Sequence, residues 1–485
     1  MGNTKSKVLS GLIWTYAERS GAMIVQFLVS VILARLLTPS DYGLIGLITV
    51  FISISMVFIE SGFGQALVQK SEADNTDFSS VFYFNIACSV VLYLALFCAS
   101  PYIASFYNEP QLTSILRVLS LSLLIGAINA VQNAYVQRTM QFKRFFFGTM
   151  SGTAVSAIIG IAMAYKGFGV WALVAQQLSN QLVNAVVLWF TVKWRPMLIF
   201  SFERMKFLFS YGWKLLCSGL LDTGYNNLYS LIIGKFYSAA DLGYYNRGKQ
   251  YPTLVITNIN SAINLAIFPA MAKSQNDSAK VKAMTRRAIT TSTFLIFPAM
   301  AGLAATAEPL VRLMLTEKWL PCVPFLQFTC FTYAFWPIHT ANLQAIKAVG
   351  RSDIFLKLEI IKKIFGIAVL IITLPMGLYA MMWGLCVATL VNSFINAHPN
   401  KKLLNYSYGE QLKDIVPSMV LSLFMASIIR FVTLLPINDL LQIIIQVIVG
   451  GVLYLGMGRL FKLECYRYVV DTVKESNFIR RRSIT

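Results

Sequence analysis

Charged residues stand at helical spacing inside three long apolar stretches of this sequence. At 100° per residue, the polar residues of each stretch fall on one helix face. In the first stretch that face carries Thr15, Glu18, Arg19, Ala22, Gln26 and Ser30. In the second it carries Tyr211, Lys214, Ser218, Asp222, Tyr225 and Tyr229. In the third it carries Arg247, Gln250, Tyr251, Asn258 and Ser261.

The cations of these stretches predict an anionic ligand, such as a phosphate or a carboxylate, because charge-assisted hydrogen bonds are about twice as strong as neutral ones. These cations are Arg19, Lys214, Arg247 and Lys249. Their amide and aromatic neighbours suit the hydroxyls and ring faces of a sugar, and they are Gln26, Tyr225, Asn226, Tyr229, Tyr251 and Asn258. Tyrosine is also common at membrane interfaces for reasons unrelated to ligands, so the sugar is the weaker of the two inferences.

The composition shows that these stretches are membrane helices. Apolar residues make up 56% of the 485 residues, charged residues make up 13%, and the mean hydropathy is +0.63. A soluble domain carries about 25% charged residues, which excludes a soluble enzyme. A β-barrel would show short alternating segments instead of long apolar runs. We therefore predict an all-α polytopic membrane protein with about fourteen transmembrane helices of roughly 20 residues each.

The predicted spans cover residues 11–34, 42–64, 78–105, 112–136, 145–165, 168–192, 207–235, 242–272, 287–306, 321–346, 354–375, 378–397, 415–435 and 440–461. The long seventh and eighth spans and the tight pair around residues 375–377 allow other boundaries. Twelve spans remain an alternative if two of these segments are misread.

Five charged residues fall inside predicted spans, where each would cost about 2.5–3.5 kcal/mol if it faced lipid. They are Glu18, Arg19, Glu60, Lys214 and Asp222. They must therefore face one another or water. Interior ion pairs that lock helices together are one explanation, and a hydrated cavity is the other. An ion pair needs two residues, whereas polar faces three to four turns long need a wall in contact with water, so we favour the cavity.

The net charge of +20 reflects membrane topology. On a soluble protein such a charge would indicate nucleic acid, but here most basic residues lie in short segments between apolar runs. If the N-terminus is cytoplasmic, the predicted inside segments hold several times as many Lys and Arg residues as the outside ones. This bias places both termini in the cytoplasm and requires an even number of spans.

An internal repeat appears at a shift of about 200 residues. Residues 35–43 match residues 235–243, and residues 9–14 match residues 208–213 with a slip of one position. An even number of spans in each half makes the repeat parallel. We predict a six-helix bundle in residues 1–200, a second in residues 201–400, and two further transmembrane helices with a basic cytoplasmic tail in residues 401–485.

The sixth predicted span is rich in amides, at Gln176, Gln177, Asn180, Gln181 and Asn184. Hydrogen bonds between helices are the ordinary explanation for such residues in a membrane, and that is the prediction made for them.

Catalytic and metal-binding motifs are missing from the sequence. It contains no HExxH, no GxSxG, no Walker-type loop and no CxxC, and its seven cysteines lie mostly inside apolar runs. We predict a protein that is not an enzyme and has no cofactor and no metal. Any energy source is then an ion gradient, a partner or the supply of substrate.

Several short segments, in their order and spacing, carry a resemblance to a known family. They are residues 34–43 (ARLLTPSDYG), 61–69 (SGFGQALVQ), 137–138 (QR) with 142–144 (FKR), 268–270 (FPA) and 350–353 (GRSD). The chain resembles the polysaccharide transporter family of Wzx-type flippases. That family belongs to the superfamily of multidrug, oligosaccharidyl-lipid and polysaccharide exporters.

The resemblance implies two six-helix bundles around a central cavity lined by spans 1, 2, 7 and 8. It implies a multi-pass protein of the bacterial cytoplasmic membrane that moves an undecaprenyl-diphosphate-linked oligosaccharide from the inner to the outer leaflet by alternating access. The translocated oligosaccharide would serve lipopolysaccharide or exopolysaccharide synthesis. The diphosphate would explain the cavity cations, and the glycan would explain the amides and aromatics. Glu18, Asp222 and Glu60 would tie down a cation, bind a proton or sodium ion, or contact sugar, and the sequence does not choose among these roles.

The implied partners are the lipid-linked glycan, membrane lipids and a candidate polysaccharide polymerase, with no nucleic acid, and the chain is expected to be monomeric.

Two alternatives to the flippase function remain. A drug or metabolite antiporter of the same superfamily would favour an acidic cavity over one with a basic excess. A membrane-embedded glycosyltransferase or polymerase would have a large non-cytoplasmic loop with paired carboxylates, and the hydropathy pattern does not contain one.

The predicted topology can be tested with reporter fusions. Fusions after Lys206, Lys282 and Arg480 should all report a cytoplasmic location, because each follows an even number of predicted spans. A periplasmic signal at any of the three would contradict the topology.

Overall fold

The computed structural model of the chain describes residues 2–60, 63–70 and 72–467, and all regular structure within them is helical. Side chains are described throughout these ranges except at residues 2–13, 15–17, 19, 65, 69, 207, 211 and 258–266. The prediction of an all-α polytopic membrane protein is confirmed.

The first ten helices are α1 Gly2–Leu36, α2 Pro39–Glu60, α3 Phe63–Gln69, α4 Asn75–Tyr107, α5 Gln111–Leu119, α6 Leu121–Arg138, α7 Lys143–Tyr165, α8 Val170–Thr191, α9 Phe202–Phe236 and α10 Ala239–Lys273. The others are α11 Ser278–Ala305, α12 Ala307–Leu315, α13 Val323–Ala334, α14 Trp336–Ala348, α15 Ser352–Thr373, α16 Leu378–Leu404, α17 Tyr408–Phe431 and α18 Asp439–Leu460. Short 3-10 turns cover Glu317–Cys322, Leu374–Met376 and Val432–Leu434.

Each predicted span coincides with one helix or with two consecutive helices. The fourth span divides into α5 and α6, and the tenth into α13 and α14 with the turn before them. In the part of the chain that the structure describes, eight helical segments are long and apolar enough to cross a bilayer by length and composition. The three helices with polar faces, α1, α9 and α10, are each 35 residues long and are not among those eight.

The chain forms two compact units, residues 1–246 and 247–485, and the boundary lies inside α10. In the first unit, α7 packs on α1 and α8, α6 packs on α2, α4 and α8, and α9 packs on α2, α3 and α4. In the second unit, α11 packs on α13, α14 and α17, and α16 packs on α14 and α15. The predicted six-helix bundles in residues 1–200 and 201–400, with two further helices in residues 401–485, stay a prediction.

Small residues allow α7 and α8 to approach closely. A Cβ atom built on Gly152 would lie 2.7 Å from the carbonyl oxygen of Asn180, and one built on Gly160 would lie 2.9 Å from Cβ of Gln176. Glycines at such spacing are common where membrane helices meet, because they let the two backbones come together. The α8 backbone around Gln176 and Asn180 is therefore fixed against α7.

The two matched segments of the repeat adopt the same local structure. Asp41 accepts hydrogen bonds from the backbone N–H and the hydroxyl of Thr38, at 2.8 and 2.7 Å, and its own N–H donates to that hydroxyl. Asp241 and Ser238 make the equivalent three bonds. Both pairs are capping boxes, and they begin α2 and α10.

These two helix starts cross without any side chain between them. A Cβ atom on Gly43 would overlap the carbonyl oxygen of Ala239, and a Cβ atom on Gly243 would overlap the carbonyl oxygen of Pro39. The contact is reciprocal, since each glycine faces the first residue of the opposite helix. Only glycine permits so close a backbone crossing.

A buried carboxylate joins α4 to two basic residues. The side chain of Asp77 is fully buried and lies 2.6 Å from Lys70 Nζ and 3.3 Å from Arg204 Nη1. The N–H of Asp77 also donates to Asp74, and this bond lowers the pKa of the Asp74 carboxyl. Because Arg204 belongs to α9, the cluster ties the start of α9 to the start of α4.

The second unit contains a buried amide network among α14, α16 and α17. Asn342 and Gln411 exchange two hydrogen bonds of 2.8 and 3.0 Å, and Asn400 donates to the Asn342 oxygen at 2.6 Å. All three residues are at most 1% exposed. Buried amides of this kind hold helices together when their polar atoms are paired.

The glycine crossing predicts a specific pattern of instability. Gly43→Ala and Gly243→Ala should each lower the thermal stability of the detergent-purified protein, by about 2 kcal/mol or more, since each added methyl group displaces a backbone carbonyl. The matched control is Gly451→Ala, because a Cβ atom on this glycine of α18 meets nothing within 4 Å. It should be neutral or slightly stabilising. Equal melting temperatures for all three variants would contradict the crossing.

Candidate functional site

The first unit encloses a polar cavity of about 680 Å³ between α1, α2, α6, α7 and α8. Carboxylates and amides dominate its wall, at Glu18, Glu60, Asn129, Asn133, Gln137, Asn180, Gln181 and Asn184. The remaining lining residues are Met56, Gly126, Phe142, Phe145 and Thr149. No lysine or arginine lines it among the residues whose side chains the structure describes. We call it the acidic cavity.

Glu18 is held in place at the wall of the acidic cavity. The hydroxyl of Thr149 on α7 donates to its Oε1 atom at 2.8 Å. Glu60 lies at the last position of α2 and is exposed to the same space. Two carboxylates without a described basic neighbour in the wall favour a cation, a proton or a neutral polar group over an anion.

A second cavity of about 340 Å³ adjoins the first and shares Asn180 and Gln181 with it. Its other polar lining residues are Gln26, Tyr42, Thr153, Ser156, Gln176 and Gln177, and Val29, Ile45 and Leu173 supply apolar surface. We call it the amide cavity. Gln26 is therefore one of the sequence-predicted site residues that do line a cavity.

The sequence predicts that the five amides of α8 form hydrogen bonds to neighbouring helices, but in the structure all five line one or both cavities. One hydrogen bond of the expected interhelical kind forms, from Asn180 Nδ2 to Ser156 Oγ at 3.2 Å. In contrast, Oε1 of Gln181 and Oδ1 of Asn129 are buried and accept no hydrogen bond within the described part of the chain. The signal in the sequence was the four-residue spacing of Gln176, Asn180 and Asn184, which keeps them on one helix face.

The predicted cations whose side chains the structure describes line neither cavity. Lys214 is exposed on α9 of the first unit, as are Asp222 and Asn226, while Tyr225 is half-buried there. The residues on α10 after position 246 belong to the second unit, where Lys249 is half-buried and Tyr251 is buried. The side chains of Arg19 and Asn258 lie outside the described residues.

Arg247 is the most enclosed of the three predicted cations with described side chains. It is only 4% exposed, its guanidinium carbon lies 5.2 Å from the ring centre of Trp319, and Nη1 donates to Gln250 Oε1. Trp319 is fully buried in the turn before α13. Gly248 reinforces this packing, since its Cβ position lies 2.7 Å from the backbone nitrogen of Leu326. Arg247 thus contributes to the core of the second unit in this conformation.

Comparison with known proteins gives a consistent family. A family model described as a polysaccharide biosynthesis protein matches residues 32–324, more than half of the chain. The teichuronic acid biosynthesis protein TuaB of Bacillus subtilis is 24% identical over 404 residues, which cover 81% of this chain and 82% of that protein. The succinoglycan biosynthesis transport protein ExoT of Rhizobium meliloti is 22% identical and covers 95% and 94%. The lipopolysaccharide biosynthesis protein WzxC of Escherichia coli is 23% identical and covers 86% of each.

Two solved structures share the fold. The lipid II flippase MurJ in an inward closed conformation superposes with a TM-score of 0.70 at 16% identity, over 95% of this chain and all of that one. An inward-facing multidrug resistance transporter of the MATE family gives a TM-score of 0.61 at 15% identity, over 80% of this chain and 96% of that one. At these identities the likeness concerns the helical architecture.

The surroundings of Arg247 and Lys214 predict different responses to loss of charge. Arg247→Met should destabilise the purified protein by about 2–4 kcal/mol, because it removes a charged hydrogen bond and a contact with the Trp319 ring. Lys214→Met should change the melting temperature little, since that side chain is exposed. Thermal unfolding of both variants tests this difference, and an unchanged Arg247→Met protein would contradict the packing role.

Proposed function

Because the chain belongs to the polysaccharide biosynthesis protein family, whose model matches residues 32–324, we propose that it is a flippase for a lipid-linked oligosaccharide. The proposed substrate is an undecaprenyl-diphosphate-linked glycan, moved from the inner to the outer leaflet of the cytoplasmic membrane for synthesis of a surface polysaccharide. The sequence resemblance to Wzx-type flippases agrees with the names of the relatives, which refer to polysaccharide biosynthesis or transport. It also agrees with the fold shared with the lipid II flippase MurJ.

The observation that carries this proposal is the pair of adjoining polar cavities among the helices of the first unit. A sugar head group cannot cross hydrocarbon without a polar path, because each unsatisfied polar group costs several kcal/mol there. A lipid tail needs no such path and stays in the bilayer. Large polar cavities within membrane helices therefore fit a substrate with a hydrophilic head and an apolar tail.

We infer alternating access as the mechanism. Both termini are proposed to be cytoplasmic, as the distribution of basic residues predicts. For the diphosphate we propose Lys214 first, because it is an exposed cation on a polar helix face. Arg19, Arg247 and Lys249 are proposed as further cations that the diphosphate meets along its path. Tyr225, Asn226, Tyr251 and Asn258 are proposed to contact the glycan.

The carboxylates of the acidic cavity are proposed to couple transport to an ion. Glu18 and Glu60 share that cavity with no described basic lining residue, so each favours a proton or a monovalent cation. Asp222, exposed on α9, is a third acid of this proposed group. An inward ion gradient could then supply the energy for which the sequence contains no nucleotide-binding motif.

The acidic cavity also favours a second candidate function, an ion-coupled antiporter of cationic drugs or metabolites. Such a protein would use the carboxylates to bind the positive charge of its substrate. The two functions make opposite demands on Lys214, because a cation helps to bind a diphosphate and repels a cationic drug.

Both functions can be tested in a strain that lacks the gene and in vesicles that contain the purified protein. For the flippase, the deletion strain should accumulate a lipid-linked glycan on the inner leaflet, and the vesicles should move that lipid between leaflets. Lys214→Ala should slow this movement about tenfold, because it removes one charged contact. Glu18→Gln should abolish the dependence of lipid movement on an imposed proton or sodium gradient. The control is Lys166→Ala, an exposed lysine at the end of α7.

Other outcomes separate the alternatives. Accumulation of no lipid-linked glycan, together with drug sensitivity that the intact gene relieves, would favour the antiporter. Restored activity in the double variant Asp222→Asn/Lys214→Gln would assign Lys214 to a structural ion pair instead of the diphosphate.

A further inference from the structure

We propose that the amide cavity is a binding subsite for uncharged sugar residues of the transported glycan, with the amide face of α8 as its main wall. The amide face consists of Gln176, Gln177, Asn180, Gln181 and Asn184, of which the first four line the amide cavity and Asn184 lines the acidic cavity. This inference rests on the proposed flippase function and adds a helix that the family resemblance did not place at the cavity.

The chemistry of the wall selects a neutral, hydroxyl-rich ligand. An amide side chain offers two donors and an acceptor with two lone pairs, which matches sugar hydroxyls that both donate and accept. Gln26, Gln176 and Gln177 present such groups to the amide cavity, and Tyr42 adds an aromatic ring. None of the lining residues described there is a carboxylate, a lysine or an arginine. An ionic ligand would therefore enter without a counter-charge.

An unpaired hydroxyl points to a ligand at this position. Thr153 lines the amide cavity, is 2% exposed, and its Oγ1 has no hydrogen-bond partner within the described part of the chain. Buried threonines in helices ordinarily bond to a carbonyl of the preceding turn, as Thr285 does with Val281 at 2.8 Å. A buried hydroxyl left without a partner costs stability, and a bound sugar hydroxyl would remove that cost.

The wall is rigid and long enough to meet more than a single group of the ligand. The close contact of Gly152 and Gly160 with α8 fixes the backbone that carries the amides. From Gln176 to Asn184 the helix rises by about 12 Å. Asn180 and Gln181 continue the polar wall into the acidic cavity, where Phe142 and Phe145 supply aromatic surface. A preorganised polar wall of this kind provides specificity, because an analogue without the matching hydroxyls leaves buried amides unpaired.

The test measures binding of two lipids to the purified full-length protein in nanodiscs. One lipid is the lipid-linked glycan extracted from the deletion strain, and the other is undecaprenyl diphosphate without a glycan. Thr153→Val and Gln177→Met each remove a polar group with little change in size. Each should weaken binding of the glycan-bearing lipid at least fivefold and leave binding of undecaprenyl diphosphate within twofold. The control, Thr285→Val, removes a buried hydroxyl that is paired within its own helix and should change neither affinity.

The melting temperature distinguishes a ligand role from a structural one. Thr153→Val should melt at the same temperature as the wild type or higher, because it removes an unpaired buried hydroxyl. The inference is overturned if both variants bind the glycan-bearing lipid like the wild type, or if they lose both lipids equally. If Thr153→Val fails to fold, Gln177→Met alone decides the result, since that side chain is only half-buried. A wild-type protein that binds neither lipid would overturn the proposed function and the inference with it.

Discussion

The hydrocarbon core of a membrane supplies no hydrogen-bond partner, so every polar side chain among these helices needs one inside the protein or in a water-filled space. Two groups of described residues differ in how they meet this demand. In the second unit, Asn342, Asn400 and Gln411 hydrogen-bond to one another in a buried network. In the first unit, amides and carboxylates line two cavities instead. The same residue types are therefore structural in one unit and available to a ligand in the other.

The placement of glycines makes the polar cavities of the first unit possible. Gly152 and Gly160 let α8 approach α7 so closely that the amide face of α8 is held beside the cavities with a fixed backbone. At the start of α2 and α10, Gly43 and Gly243 allow two helix ends to cross backbone to backbone. In both places a missing side chain lets the glycine backbone lie against the neighbouring helix. The polar site thus depends on close packing as much as on the polar residues themselves.

The charge distribution refines the mechanism that the family implies. The sequence has a basic excess, and a cationic site for a diphosphate is its natural interpretation. The acidic cavity contains the opposite charge, with Glu18 bonded to Thr149 and Glu60 across the same space. A carrier that holds a glycan and an ion in one unit, and meets a diphosphate elsewhere along its path, accommodates both facts.

The sequence by itself determined the helical segments, because apolar runs of membrane length can be satisfied only by helices or closed barrels. It also determined the capping boxes at Asp41 and Asp241, since these depend on residues three positions apart. It placed Glu18 and Gln26 on one polar face, and the structure places both at cavities. Only the tertiary structure decided what each face meets. The amides of α8, which were expected to bond to other helices, line cavities. Arg247, which was expected at a ligand site, packs on Trp319 in the core of the second unit. Helical periodicity specifies which residues share a face, but the neighbour of that face is chosen by contacts between segments distant in the chain.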